Sequence, residues 1–339
     1  MIKKESSQKN KVALLTGATS VLGKSIAHQL INRGYVVKAL IRDDPKSIQL
    51  ISQLPVGVIP YTVDITIPSQ EHKKELLKAC SGVDRVFHIA AAVYKANNTF
   101  DSLMKTNVVG TENLITSLIE ANPDKHDIHI LFASTMSVYG HNKRNQTLTE
   151  LSKPTPDTAY GKSKFIAEQL IESYCDVHKN LHYTIIRMGT LYGNGYEKPS
   201  FCKVFGMIKK GSMRYLGDKN NTLTLIHVDD AVNAYMLAIE KEQQSYNNIY
   251  NITDGVAHTQ EELFSLAAAK MHVAPPTKTL SGFVAKIFGG SKISQDELDF
   301  LLSSRVVSIK KASSELSFVP IRKITKEGID MIENCDFKG

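Results

Sequence analysis

Short apolar runs alternate with longer amphipathic segments along the first half of the chain. The runs at 12–16, 36–41, 86–92, 128–134 and 183–187 are rich in β-branched residues, which is typical of buried strands. Apolar residues at helical spacing fill 24–33 and 48–54, and a further helix is predicted to begin near Tyr160. Because strand, helix and strand recur this often, we predict an α/β protein with a doubly wound parallel sheet and helices on both faces.

The alternation of apolar runs and amphipathic segments is interrupted after Arg187. Six glycines follow between residues 189 and 217, and then a strand at 225–228 and a helix from Asp229 are predicted. The segment from about residue 256 to 339 is predicted to be mostly helical, with a break at Pro275 and Pro276. A chain of 339 residues is long for one small core. We therefore expect a large domain and a smaller, mostly C-terminal lobe that share one cleft.

Composition excludes several classes of function. Hydrophobic residues make up 42% and charged residues 22%, as in ordinary soluble proteins, and no stretch approaches the roughly 18 apolar residues of a membrane helix. We expect no membrane contact. The formal net charge is +7, yet basic and acidic residues are interleaved, as at 71–75, which favours solvated helix faces over nucleic-acid binding. The positive surplus would equally suit an anionic cofactor.

Cysteine usage points to a reducing compartment. The four cysteines, at 80, 175, 202 and 335, are widely scattered and contain no CxxC pair. The spacing therefore predicts neither a disulfide framework nor a zinc site. We expect a cytoplasmic protein without a bound metal.

A glycine-containing turn, TGATSVLG, occupies residues 16–23, where the first strand gives way to the first helix. Glycines at such a turn let the backbone approach a pyrophosphate, and the helix N-terminus offers amide N–H groups with a partial positive charge. The turn alone is a weak signal, because a simple strand-to-helix connection would show the same pattern.

Further motifs follow in a fixed order along the chain. They are HIAA (88–91), NVVGT (107–111), STMSVYG (134–140), YGKSK (160–164), RMGTLYG (187–193) and HVDDA (227–231). With the turn, this series resembles the extended short-chain dehydrogenases/reductases, the NAD-dependent epimerase/dehydratase family. The segment ASSELSFVP at 312–320 is similar, though less closely, to the C-terminal segment of that family. In one departure, Ser20 stands where the family usually has its middle glycine.

The YGKSK segment carries candidate chemistry. On a helix, Tyr160 and Lys164 lie four residues apart on one face. A free phenol has a pKa near ~10, and a fixed ammonium beside it favours the phenolate, so Tyr160 becomes a candidate acid/base. The resemblance implies that Lys164 also bonds the nicotinamide ribose and that Thr135, four residues before Tyr139, polarises the substrate oxygen. Ser134 and Ser137 are rivals for the role of Thr135.

The resemblance also implies a dinucleotide site. Its expected residues are Gly17, Thr19, Ser20, Val21, Leu22, Gly23, Arg42, Asp64, Ile65, Ala90, Ala91, Tyr160 and Lys164. Ile41 occupies the position where NAD enzymes place a carboxylate, and Arg42 follows it with a guanidinium suited to a 2'-phosphate. We therefore predict NADP, with NAD possible. The carboxylates of Asp43 and Asp44, which follow Arg42, favour NAD instead.

Several polar residues have structural alternatives. The resemblance implies that His88 shapes the cofactor cleft and does not transfer protons. Asn107 is as consistent with a helix cap as with catalysis. Asp229 and Asp230 are predicted first as N-cap residues. Asp64 is either a turn residue or the adenine ligand that the family's Asp-Ile pair supplies.

The sequence is consistent with three functions. The leading hypothesis is a reductase or dehydrogenase that moves hydride between nicotinamide and a secondary alcohol or ketone of a small molecule, resembling the dihydroflavonol-reductase-like branch. The alternatives are a nucleotide-sugar epimerase with NAD, and a non-catalytic dinucleotide-binding sensor or subunit. The expected division is a flexible tail (1–11), a Rossmann-type dinucleotide-binding domain (12–188 and 224–255) and a substrate-binding lobe (189–223 and 256–339). Family habit implies a homodimer.

Overall fold

The structure is a computed structural model that describes residues 11–67, 69–93, 99–193, 195–196, 199–281, 302–325 and 330–335, without the side chains of 142–145 and 199–200. The strands are β1 (Val12–Thr16), β2 (Val36–Ile41), β3 (Val58–Thr62), β4 (Arg85–His88), β5 (Ile128–Thr135), β6 (Asn142–Leu148), β7 (Leu181–Met188), β8 (Thr190–Tyr192), β9 (Tyr215–Leu216), β10 (Thr222–Leu223), β11 (Leu225–His227), β12 (Asn248–Ile252), β13 (His258–Thr259), β14 (Thr279–Leu280) and β15 (Ser304–Val307). The helices are α1 (Val21–Asn32), α2 (Pro45–Gln49), α3 (Gln70–Cys80), α4 (Phe100–Met104), α5 (Gly110–Ala121), α6 (Ala159–Val177), α7 (Pro199–Lys209), α8 (Val228–Glu240), α9 (Glu242–Ser245), α10 (Gln260–Lys270) and α11 (Lys310–Leu316).

Seven strands form one parallel sheet in the order β12-β7-β5-β4-β1-β2-β3. The chain runs outward from β1 to β3 and then returns to place β4 on the other side of β1. Such a reversal opens a crevice at the carboxyl ends of the two central strands, where open α/β sheets bind their ligands. The predicted Rossmann-type doubly wound sheet is confirmed.

Apolar layers cover both faces of the sheet. One core cluster joins α1, α8 and α11 to the sheet through residues such as Ile26, Tyr235 and Leu316. The other joins α3, α5 and α6 through residues such as Leu118 and Ile171. In the described part of the chain, no helix is long and apolar enough to cross a bilayer.

Most predicted elements are present, with shifts at their ends. β1 and β2 match the apolar runs residue for residue, but β4 ends at His88 and not at residue 92. At residue 92 the backbone is hydrogen-bonded to a side chain and not to a neighbouring strand. Asn107 Oδ1 accepts from the N–H of Ala92 at 2.8 Å, and Asn107 Nδ2 donates to its carbonyl at 3.0 Å. The predicted helix at 48–54 is a short α2 followed by a 3-10 turn at Leu50–Gln53.

The predicted N-caps at Asp229 and Asp230 are wrong, and the cap considered as one alternative for Asn107 is not formed. Asn107 lies within a π-helical turn, Lys105–Val109, and does not cap a helix. The N-cap of α8 is His227, whose Nδ1 accepts from the N–H of Asp229 at 3.1 Å. Asp230 lies in the first turn, where its carboxylate accepts from the N–H groups of Ile321 and Arg322.

In its described residues, the segment after residue 256 is less helical than predicted. Its described residues include β13, β14 and β15 besides α10 and α11. β15 pairs with β6, which precedes α6 in the chain. A separate apolar cluster joins α7 to α10 and to the C-terminal 3-10 helix, Met331–Asn334.

One prediction about cysteines is also wrong. Cys202 of α7 and Cys335 form a disulfide across a sequence separation of 133 residues. Spacing along the chain did not indicate the bond, because the fold alone brings α7 beside the C-terminal segment. Cys80 and Cys175 are free and buried.

Candidate active site

The turn between β1 and α1 has room only for glycine at two positions. Gly17 has a φ of +71°, and a Cβ built on it would lie 2.8 Å from the backbone nitrogen of Ala90. A Cβ on Gly23 would lie 2.2 Å from the carbonyl oxygen of Gly17. These contacts keep side chains out of the turn and hold the start of α1 against β1. The bare backbone at a helix N-terminus fits the pyrophosphate of a dinucleotide.

Ser20 has a defined role in this turn. Its hydroxyl donates to the carbonyl oxygen of Gly17 at 2.8 Å and accepts from the N–H of Gly23 at 3.0 Å as the N-cap of α1. The hydroxyl proton is therefore engaged within the turn. Beside it, Thr19 and Val21 are half-buried and Leu22 is buried.

Tyr196 contacts the same turn and was not foreseen from the sequence. Its phenol has a backbone hydrogen bond with Leu22, and burial, opposed by that bond, raises the pKa of Tyr196 to about 12. A Cβ on the neighbouring Gly195 would lie 3.1 Å from the side chain of Val21. The loop after β8 therefore lies against the N-terminus of α1 through a neutral phenol.

The ends of β2 and β3 hold the predicted adenosine residues. Arg42 is 71% exposed, with its Nε 3.5 Å from the carboxylate of Asp44. Asp44 caps α2 by accepting from the N–H and hydroxyl of Ser47. Asp64 accepts from the N–H and hydroxyl of Thr66, as a turn residue does. The carbonyl of Ile65 accepts from the side chain of Asn113 at 2.8 Å.

His88 stands at the end of β4 in a chain of buried hydrogen bonds. Thr16 Oγ1 lies 2.8 Å from its Nδ1, and Thr111 Oγ1 lies 2.8 Å from its Nε2. Because the Thr111 hydroxyl donates to the carbonyl of Asn107, it must accept from the His88 Nε2–H. Burial, and secondarily the charge of Lys164, lowers the pKa of His88 to about 3. His88 is thus a neutral structural residue, as its position predicted.

A second chain of hydrogen bonds joins the loop after β4 to α6. Asn107 Nδ2 donates to the hydroxyl of Ser163 at 2.9 Å, and that hydroxyl donates to the carbonyl of Tyr160 at 2.9 Å. The same Asn107 side chain holds Ala92, next to Ala90 and Ala91, which are half-buried. The predicted nicotinamide side of the cleft and the first turn of α6 are therefore fixed to one another.

Thr135 ends β5 and begins the turn that faces α6. Its hydroxyl accepts from the N–H of Ser137 at 3.2 Å as the N-cap of a 3-10 helix, Met136–Tyr139. A Cβ on Gly161 would lie 2.6 Å from the carbonyl oxygen of Ser137. The first turn of α6, with Tyr160, therefore packs directly on the segment that follows Thr135. Of the two rivals, Ser134 is buried and bonds Glu168.

Lys164 is buried one turn further along α6. Only 1% of the residue is exposed, and its Nζ lies 3.8 Å from the centroid of the Phe132 ring. Burial lowers the pKa of Lys164 to about 7, and the carboxylate of Glu168 opposes that fall. Glu168 in turn binds Arg187 of β7 through two hydrogen bonds, at 3.1 and 2.6 Å.

The structure brings most of the predicted residues to one edge of the sheet. Gly17, Ala90, Thr135 and the start of α6 follow the carboxyl ends of β1, β4 and β5 or pack upon them. Arg42 and Asp64 follow β2 and β3, on the far side of β1. This arrangement has the extent that a dinucleotide lying across the switch point of the sheet would need.

Comparisons with known proteins agree with this geometry. The chain is 26% identical over 276 residues to a decarboxylating sterol-4-alpha-carboxylate 3-dehydrogenase of Dictyostelium discoideum, covering 79% of this chain and 80% of that protein. It is 28% identical over 233 residues to a 2-alkyl-3-oxoalkanoate reductase of Stenotrophomonas maltophilia, covering 67% and 64%. The crystal structure of a UDP-glucuronic acid 4-epimerase from Bacillus cereus in complex with NAD superposes with a TM-score of 0.73 at 21% identity, over 95% of this chain and 99% of that one.

The sequence profile of the NAD dependent epimerase/dehydratase family matches residues 13–253, which include the turn at 16–23, Thr135, Tyr160 and Lys164. The match covers more than half of the chain. The protein therefore belongs to the NAD-dependent epimerase/dehydratase family and is an NAD(P)-dependent oxidoreductase or epimerase of the extended short-chain dehydrogenase/reductase type.

Proposed function

We propose that this protein is an NADP-dependent oxidoreductase that transfers hydride between nicotinamide and a secondary alcohol or ketone of a small molecule. The observation that carries the proposal is the packing of Gly161 on Ser137, which sets Tyr160 beside the segment that follows Thr135. Lys164 lies buried on the next turn of the same helix. A hydroxyl, a phenol and an ammonium gathered at a dinucleotide cleft are suited to proton transfer at a carbonyl oxygen.

Each of the three side chains has a separate task in this proposal. The bound cofactor supplies or accepts the hydride. Tyr160 gives its phenolic proton to the carbonyl oxygen in reduction and takes it back in oxidation. Thr135 donates a hydrogen bond to that oxygen, and Lys164 favours the phenolate of Tyr160 through its charge.

The second strand supports NADP as the cofactor. Arg42 is exposed, and a guanidinium there can bind a 2'-phosphate through paired hydrogen bonds. Asp44, one of the two competing carboxylates, is occupied as the N-cap of α2. Asp43 is 49% exposed in its side chain and lies 3.9 Å from Nε2 of His72. Of the two competing carboxylates, that of Asp44 is thus engaged within the protein.

The similar proteins support a substrate with a ketone or secondary alcohol. The Dictyostelium relative is named as a 3-dehydrogenase of a 4-carboxylated sterol, and the Stenotrophomonas relative as a reductase of a 3-oxoalkanoate. Both names put the reacting oxygen on a carbon close to a carboxylate. Carboxylated ketones are therefore the first substrates to test.

A nucleotide-sugar epimerase is the second candidate, because a putative UDP-glucose 4-epimerase of Methanocaldococcus jannaschii is 26% identical over 262 residues. Sugar-nucleotide enzymes of this type need a cation for the substrate pyrophosphate. Nucleotide-sugar enzymes of this family commonly place an arginine at the position that Leu223 occupies here. Leu223 is 1% exposed and packs in an apolar cluster with Tyr192 and Met331. That packing favours a substrate without a nucleotide. The three intact side chains at 135, 160 and 164 disfavour a non-catalytic sensor.

The test is a comparison of two activities in one preparation. We expect 3-oxoalkanoates or other ketones to oxidise NADPH, followed through the absorbance of the reduced nicotinamide. We also expect no interconversion of UDP-glucose and UDP-galactose with added NAD. Calorimetric titration of the NADP-loaded protein with UDP, GDP and dTDP should show no binding at millimolar concentration. A micromolar dissociation constant, or epimerisation, would favour the second candidate.

Three broader features complete the proposal. The dinucleotide-binding domain comprises 12–188 and 224–255, and the substrate-binding lobe 189–223 and 256–339. The protein pairs as a homodimer through α5 and α6, and it acts in the cytoplasm. The disulfide between Cys202 and Cys335 removes the cysteine argument for a reducing compartment.

A further inference from the structure

Lys164 is a buried cation with an aromatic ring beneath it. Its Nζ stands 3.8 Å from the centroid of Phe132, a residue of β5 that is 0% exposed. The face of an aromatic ring carries negative potential, and its attraction for an ammonium is strongest where water is excluded. Phe132 lies three residues before Thr135 on the same strand. The contact therefore joins α6 to the strand that carries the third member of the predicted catalytic set.

The other groups around the ammonium are already committed. Glu168 lies on α6 itself, but its carboxylate is bonded by Arg187 of β7 and by the hydroxyl of Ser134. Lys164 and Glu168 form no ion pair within 4.0 Å in the described part of the chain. His88 of β4 is neutral, with both ring nitrogens bonded to threonine hydroxyls. The ring of Phe132 lies directly against the ammonium, with its centroid 3.8 Å from Nζ.

We propose that Phe132 is a positioning residue for Lys164, whose ammonium its ring holds in place by a cation–π contact. The sequence indicates only an apolar residue of a buried strand at position 132. Phe87 of β4, which pairs with Leu131, is equally buried but packs in the cluster on the opposite face of the sheet, with its ring 6.1 Å from that of Tyr235. Two buried phenylalanines of adjacent strands thus serve different purposes.

The contact has a consequence for the charge of the lysine. Burial, opposed by the charge of Glu168, lowers the pKa of Lys164 to about 7, so small changes around the ammonium alter its charge near neutral pH. A ring that stabilises the ammonium delays its deprotonation as the pH rises. This part of the inference rests on the proposed function, in which the charged lysine favours the phenolate of Tyr160.

The pKa of Lys164 can be measured directly in the cofactor-free protein. Lysine labelled with ¹³C at Cε gives one NMR signal per residue, and the Lys164→Arg variant identifies the signal of interest by its loss. Cation–π contacts contribute about 0.5–2 kcal/mol, so Phe132→Leu should lower the pKa of Lys164 by about 0.5 to 1.5. Phe87→Leu, which removes the same ring from the other face, should leave it unchanged.

A shape-preserving variant covers the case in which Phe132→Leu does not fold. Incorporation of 3,4,5-trifluorophenylalanine at position 132 weakens the negative face of the ring with little change in its volume. We expect the pKa of Lys164 to fall in this variant also, and Phe132→Tyr to keep it near the wild-type value. A pKa that stays within about 0.2 of wild type in the fluorinated protein, against the shift expected for a cation–π contact, would overturn the proposal.

The same variants separate this inference from the proposed function. If both hold, the alkaline limb of the pH profile of kcat/KM moves to lower pH together with the NMR titration. A shifted titration with an unmoved profile would keep the cation–π contact and contradict the catalytic task of Lys164. An unmoved titration with full NADPH-dependent activity would contradict the contact and leave the proposed function intact.

Discussion

Gly161 and Ser137 touch through backbone atoms, so that any side chain at position 161 would meet the carbonyl oxygen of Ser137 at 2.6 Å. The contact seats the first turn of α6 on the 3-10 helix that Thr135 begins. The N-cap of α6, Thr158, accepts from the N–H of Gly161 at 3.1 Å and fixes the same turn from the other side. The position of Tyr160 relative to Thr135 therefore depends on the absence of a side chain at Gly161.

Gly161→Ala should separate these two elements. A methyl group cannot push a backbone carbonyl aside without moving the turn, and overpacking of this kind costs about 1–3 kcal/mol. Misplacement of a reacting group by about 1 Å can reduce turnover roughly 100-fold. We expect kcat to fall by about that factor, with a smaller change in the dissociation constant of the cofactor. Steady-state kinetics and calorimetry measure the two quantities.

Gly110→Ala is the matched control for that variant. Gly110 also lies in a helix, but the nearest atoms to its added methyl belong to the side chains of Ile65, at 3.1 Å, and Thr66, at 3.5 Å, and not to a backbone carbonyl. We expect near wild-type kcat from it. Equal losses of kcat in the two variants would contradict the special role of Gly161.

The sequence identified individual site residues and strands, but it did not predict the contacts between segments that are distant along the chain. Tyr160 and Lys164 stood out because their spacing has a chemical meaning on a helix, and β1 and β2 because short apolar runs have few alternatives. The closeness of Gly161 to Ser137 could not be predicted, since the two residues are joined by packing and not by a local pattern. The same holds for Cys202 with Cys335 and for Tyr196 with Leu22, where distant segments meet only in the folded chain.

His88 should make the protein sensitive to acid. Its pKa is lowered to about 3 in the folded state, chiefly by burial, whereas an unfolded histidine titrates near ~6.5. Between these values the unfolded chain binds the extra proton, so stability is lost as the pH falls below about 6.5. At pH 5 the loss from this residue is about 2 kcal/mol.

Chemical unfolding at several pH values measures that loss. His88→Gln, which keeps a donor and an acceptor but no titrating group, should flatten the dependence of the unfolding free energy between pH 7 and pH 5. The buried His129, whose pKa burial also lowers, keeps part of the slope in both proteins. Exposed His28 provides the control, and a slope that changes as much in His28→Gln as in His88→Gln would refute the prediction.

Arg42 should determine the choice of cofactor. Arg42→Ala is expected to raise the dissociation constant of NADPH by about 10-fold or more, as loss of a paired phosphate contact does, and that of NADH by less than about 2-fold. Arg33→Ala removes the same charge from a residue that pairs with Glu240, and should affect neither cofactor. Equal weakening of NADPH and NADH in Arg42→Ala would argue for NAD.

The disulfide should contribute to stability. It links residues 133 apart, and bonds that close long loops stabilise a fold by roughly 2–5 kcal/mol. We expect a dithiol reductant to lower the unfolding free energy of the wild type by that amount and to leave the Cys202→Ser/Cys335→Ser protein unchanged. Thiol titration of the denatured, unreduced wild type should find two free thiols, Cys80 and Cys175. Four free thiols would mean that the bond is not formed in the purified protein.

The acid/base task of Tyr160 is the centre of this account, and Tyr160→Phe tests it most directly. The control is Tyr174→Phe, on the same helix, whose hydroxyl lies 3.3 Å from Glu112. With NADPH and a reducible ketone, we expect Tyr160→Phe to lose at least about 100-fold in kcat while its affinity for NADPH stays within a few fold, and Tyr174→Phe to resemble the wild type. More than about a tenth of wild-type kcat in Tyr160→Phe would contradict the account, because a general acid/base normally contributes far more.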